Sequence, residues 1–256
     1  MAAIDLKSVP SNVPLTPEYV ARIAARAVEV AAAFRARINN LQTQVDEAKQ
    51  RFTTEANADI LNTSPADRDT ARRLFKKRAA DKLIAFRQNI VPASKTAREE
   101  LLMQLSRVAA DARFLLSVCQ SPAQMLGRVA LGEAKRTNYQ QQLTGAGPAE
   151  LESAAALAIS SGDLVLAAAV VTVIDRMPLG RRPFSVVAFA ERMWGEQFRD
   201  VNGKLQGVIL AERKALAANN EFIRGKGDAL VNLSNTLAER ALAAASGEDD
   251  DQEDAA

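Results

Sequence analysis

Between residues 17 and 61 the apolar positions fall at Val20, Ala24, Ala27, Ala31, Phe34, Ile38, Leu41, Val45, Ala48 and Phe52, in steps of four and three. That spacing keeps one stripe on a single side of a helix and is the seam of a coiled coil or helical hairpin. A helix of this length spans about 68 Å at ~1.5 Å per residue, too long to be covered by one small core. Thr16-Pro17-Glu18 gives it a start: a capping hydroxyl, proline at the first helical position and an acid at the positive end.

The pattern then restarts at each proline. Ser64-Pro65, with Asp67 behind it, predicts a second helix to about Val91, ended by Pro92. Thr96 and Glu99 read as a capping box for a third, whose stripe is Leu101, Leu105, Val108, Ala112, Leu115 and Cys119. Together these two match the first helix in length, so an antiparallel hairpin over 17–136 is expected, with its returning arm broken at Pro92. Ser121-Pro122 opens a fourth helix to about Lys135. Residues 137–147 lose periodicity and end in Gly145-Ala146-Gly147-Pro148, which predicts a linker.

A second helical part is expected over 148–246. Gly162 and Asp163 separate two short helices, the glycine ending one and the aspartate capping the next. After the loop 177–183, Val187, Ala190, Trp194, Phe198, Val201, Leu205 and Val208 form the stripe of a long helix to about Ile223. Gly225-Lys226-Gly227 divides it from a last helix to about Ala245. The fold class is therefore all-α: a long coiled-coil-like hairpin, a shorter hairpin and a second long helix.

Composition fits that picture. The chain has 49 alanines among 256 residues and only 5% aromatics. Alanine favours helix and lets helices approach, but buries little area. A seam this poor in bulky side chains predicts that Phe34, Ile38, Leu41, Val45 and Phe52 are covered by another copy or a partner.

Chemistry is narrowed by what is missing. With no histidine and one cysteine, Cys119, the chain lacks the donors of a zinc site and every histidine-based nucleophile triad. Cys119 lies on an apolar stripe and reads as a core residue. Gly225-Lys226-Gly227 has neither the spacing nor the preceding strand of a phosphate loop. No enzyme, cofactor, metal or small-molecule substrate is expected. The apolar run 164–174 is too short to span a bilayer, and joining it to the helix before it would place Asp163 in mid-membrane. A buried hairpin is expected there, with a membrane-active segment over 154–174 as the alternative. The N-terminus shows no secretion signal, which places the chain in a cytoplasm or a virion.

Charge adds three surfaces. The second helix carries Arg68, Arg72, Arg73, Lys76 and Lys77, a row able to track phosphates of DNA or an anionic lipid surface without sequence preference. Residues 247–256 hold six acids and no base, leaving 33 basic against 25 acidic residues in the rest; a disordered acidic tail is expected. Before the first helix, residues 1–16 form a proline-containing arm whose Val9, Val13 and Leu15 could dock on a neighbouring subunit. In composition and layout, though in no motif, the chain resembles structural, internal and scaffold proteins of tailed bacteriophages. The resemblance implies a non-enzymatic protein that assembles with itself or with other assembly proteins. Polyanion binding at a DNA or membrane surface is the alternative function.

Overall fold

A computed structural model describes residues 17–246, and among them there are nine α-helices and no strand. The arm with Val9, Val13 and Leu15, the Thr16 cap and the acidic tail lie outside the described residues. The helices are α1 (Pro17–Leu61), α2 (Arg68–Ala93), α3 (Lys95–Val118), α4 (Pro122–Leu126), α5 (Ala134–Leu143), α6 (Pro148–Ser161), α7 (Leu164–Asp175), α8 (Val186–Arg224) and α9 (Ala229–Ser246). They distribute over two compact units, one formed, among the described residues, by 17–25, 110–208 and 241–246, the other by 26–109 and 209–240. The division follows contacts rather than chain order.

In the unit of residues 26–109 and 209–240, Ala27, Phe34, Ile38, Leu41, Val45 and Ala48 of the α1 stripe are buried as spaced, whereas Val30 is buried in place of half-buried Ala31, Phe52 is half-buried, and Ala56 and Ile60 extend the buried face. Glu55 of α1 pairs with Lys82 of α2 at 2.7 Å, and Arg26 of α1 reaches Gln104 of α3 at 3.5 Å. Moving back along α1 from 55 to 26, the partner moves forward from 82 to 104, so contacts run in antiparallel order.

Pro92 does not end its helix. It removes only the bond to the Gln88 carbonyl, and α2 continues to Ala93. The Ile90 carbonyl next in line is taken by the Ser94 amide at 3.0 Å and its hydroxyl at 2.8 Å. Arg98 donates to the Val91 carbonyl at 2.8 Å and to the Ser94 hydroxyl at 3.1 Å. With those acceptors filled from inside, one residue suffices to join α2 to α3. The expected Thr96–Glu99 box is absent because Thr96 already lies within α3. At the other end of α2, Ser64 makes no side-chain cap, and Pro65–Asp67 form a single 3-10 turn.

The other unit centres on α7. Leu166, Ala167, Ala168, Ala169, Val170, Val171 and Ile174 are all buried, packed against α4, α5 and α6. The run 164–174 is thus core, and among the described residues no helix is long and apolar enough to cross a membrane. Gly162 turns the chain at φ 65°, and the Asp163 carboxylate accepts the Val165 and Leu166 amides at 2.9 and 3.1 Å. The left-handed turn suits glycine, and the cap fills two otherwise orphaned donors.

Two expectations fail here for identifiable reasons. The fourth helix stops at Leu126, because Ala130 at φ 53° and Gly132 at φ 83° bend the chain away from helix. The linker expected over 137–147 is helical to Leu143. Its helix, α5, shows almost no apolar period because polar atoms hold it: Arg136 is buried, and the Tyr139 hydroxyl meets Asp163 at 3.2 Å.

Helix α8 bends at Trp194, where φ −147° and ψ 15° leave the helical range. Trp194, Val201, Leu205 and Val208 are buried as spaced, but before the bend Val186, Phe189 and Ala190 face the core while Val187 is exposed.

Candidate functional site

The seam residues are covered within the chain. Phe34, Ile38, Leu41 and Val45 are buried, and Phe52 is half-buried beneath the cationic ends of Arg51 and Lys82. Their burial is completed by the chain's own helices, so a second copy is not what covers them.

Helix α2 presents the opposite situation. Only Ala71 of its 26 residues is buried. Arg68, Arg72, Arg73, Lys76 and Lys77 are all exposed. Arg68 spends its Nε on the Thr63 carbonyl at 3.4 Å, whereas Arg72, Arg73, Lys76 and Lys77 meet no acid among the described residues. Arg68, Arg72 and Lys76 follow one another at i, i+4, with Arg73 and Lys77 on the adjoining row. Five cations thus line about 14 Å of helix at ~1.5 Å per residue. Lys82, farther along, is neutralised by Glu55, whose carboxyl is held below its usual range chiefly by that hydrogen bond.

Helix α9 was not singled out by its sequence, yet it holds the most exposed apolar stripe. Asp228 caps it by accepting the Leu230 amide at 3.1 Å. From 229 to 240 none of its residues is buried. Leu230, Leu233 and Leu237 are 79, 56 and 56% exposed, at the three-and-four spacing of a seam. Glu239 on another side of the helix pairs with Lys214 of α8. The signal was present in the spacing, but a run of leucines in an all-helical chain reads first as core.

Two buried arginines also escaped sequence reading. Arg98, 2% exposed, organises the α2–α3 junction and lies over the Phe222 ring at 5.3 Å; burial lowers its pKa. Arg136, 5% exposed, donates to the carbonyls of Val129 and Gly127 at 2.6 and 2.7 Å and to the Thr172 hydroxyl at 2.8 Å. Charged residues are seldom fully buried, so neither is predictable from composition.

Cys119 is buried, and desolvation pushes its thiol pKa up against the field of Arg128, which disfavours the reactive thiolate. No group of three or more metal-binding side chains gathers among the described residues. Compared with protein-family models, with curated proteins and with solved structures, the chain matches none.

Proposed function

We propose that this chain is a non-enzymatic assembly protein that associates with a second copy of itself through the leucine face of α9. The observation that carries the reading is the exposure of Leu230, Leu233 and Leu237 on a segment without a buried residue. An isolated helix of 18 residues is only marginally stable in water, and most helix stability comes from packing an apolar face. Covering three leucines contributes about 1.5–3 kcal/mol each when burial is complete. Charge does not oppose self-pairing, since α9 carries one acid, Glu239, and one base, Arg240. The likeness in layout to scaffold and internal proteins of tailed phages agrees with this reading.

Size-exclusion chromatography with light scattering tests it. The full chain at tens of micromolar is expected to elute as an oligomer, and Leu233→Glu with Leu237→Glu as a monomer of unchanged helicity. A monodisperse monomer of the unsubstituted chain would defeat the proposal.

The unpaired cations of α2 favour a second reading, non-specific binding of a polyanion such as DNA or an anionic membrane surface. Neutralising phosphates releases counterions, so affinity should fall steeply with salt. Arg72→Glu, Lys76→Glu and Lys77→Glu together are expected to abolish retention on DNA or anionic vesicles. Unchanged affinity in that variant excludes α2 as the binding face.

A further inference from the structure

A cavity of about 430 Å³ opens between α4, α5 and α7, with Gln124, Arg128, Arg136, Thr172, Asp175 and Arg176 in its wall. Three arginines therefore line one concave surface. Their counter-charges are few. Arg136 bonds only neutral acceptors, and its pKa is lowered by burial and then by the neighbouring charge of Arg176. Asp175 is the one acid in the wall, and Arg182, from outside the cavity, already pairs with it at 3.2 Å. Half-buried Arg128 and exposed Arg176 meet no acid among the described residues. The C-terminal end of α7 adds only about half a negative charge. Positive charge at the wall exceeds everything set against it.

The roles of the three arginines divide. Arg136 is fixed: its bonds to Gly127 and Val129 hold the turn in which Ala130 adopts φ 53°. It forms a rigid, desolvated positive floor. Arg128 and Arg176 spend no donor among the described residues, and a guanidinium fork matches the oxygens of a phosphate group. The cavity has the size of a small-molecule site and is far too small for a duplex. Arg136 is buried against neutral acceptors alone, so an anion beside it would offset part of the desolvation of its charge.

We propose that this arginine pocket binds a phosphate-type oxyanion, free or carried on a small molecule. The reading does not depend on self-association through α9 or on the α2 face.

Calorimetric titration of the full chain at constant ionic strength provides the test, with inorganic phosphate in one arm and a sugar monophosphate in another. Saturable binding of either is expected, and tighter binding of the sugar phosphate would identify an ester as the ligand form. Arg128→Gln with Arg176→Gln should weaken binding at least tenfold, and Arg72→Gln with Lys76→Gln and Lys77→Gln on α2 should leave it unchanged. Should the double variant fail to fold, Arg176→Gln alone, at an exposed position, is expected to weaken it at least threefold. No saturable heat with either probe, or binding indifferent to the pocket variants, would overturn the assignment. Loss only in the α2 variant would overturn it equally.

Discussion

Arg98 and Asn219 stand 121 positions apart, and the guanidinium of the first donates to the side-chain oxygen of the second. The same guanidinium fills the Val91 carbonyl left over at the end of α2. Arg98→Met would strand the Asn219 oxygen, at a cost of about 1–3 kcal/mol if it stays buried, and leave the Val91 carbonyl only the Ser94 hydroxyl at 3.2 Å. We expect a loss of about 1–3 kcal/mol in urea unfolding. Arg98→Lys should recover little, because an ammonium cannot reach several acceptors in a planar fork. A loss below about 1 kcal/mol for Arg98→Met would contradict this role.

Asp163 couples stability to acid. Partial burial pushes its carboxyl up, but Lys135 at 2.8 Å, the Leu166 amide and the Tyr139 hydroxyl together hold the pKa below the usual value. A depressed carboxylate stabilises the fold above its unfolded pKa of about 3.9, and the contribution is lost as pH falls through the lower folded value. Asp163→Ala should cost about 0.5–2 kcal/mol at pH 7, the worth of an N-cap. Its deficit relative to the unsubstituted chain should shrink below about pH 4. A deficit that stays constant through that window would refute the linkage. Lys135 is more than half exposed, so Lys135→Met should cost less than Asp163→Ala.

Gly203 and Gly207 lie inside α8 with open space where a Cβ would stand. Alanine at either position removes unfolded-state freedom without a clash, and each substitution should stabilise by about 0.5–1 kcal/mol. That is roughly 1–4 °C in thermal midpoint for a chain of this size. A lowered midpoint would mean that something outside the chain occupies that space.

Ala130, at φ 53° and buried, is balanced between two effects. Glycine would relieve about 1–2 kcal/mol of left-handed strain and lose about 0.8 kcal/mol of methyl burial plus its own chain entropy. Ala130→Gly should therefore stay within about 1 kcal/mol of the unsubstituted chain, and Ala130→Val should cost more than about 1.5 kcal/mol. Equal stability of the two variants would show that the turn is not under strain.

What could be read from the residues was whatever apolar spacing and local caps encode. The α1 seam, the bounds of that helix, and the Gly162–Asp163 turn are local chemistry. Helix α5 was missed because Arg136 and Tyr139, not an apolar stripe, attach it. The break at Pro92 was overestimated because proline costs the helix one bond, to Gln88, and the carbonyls of Ile90 and Val91 at the helix end are filled by Ser94 and by Arg98, a turn later. Val187 was misplaced because the buried face runs from Ala190 back to Val186, a step of four and not three. The α2 cations were visible at once, but their lack of acid partners needed coordinates. The arginine pocket was invisible because Arg128, Arg136 and Arg176 lie on separate segments brought together only by packing.

The bend in α8 leaves one more mark. Trp194 is the only tryptophan of the chain, 3% exposed, with an indole nitrogen that finds no acceptor among the described residues. Its emission is a native optical probe, and it watches the unit built around α7 alone. Circular dichroism, by contrast, sums helices from both units. Disagreement between the two melting curves would reveal that the units come apart in separate steps, with no label added.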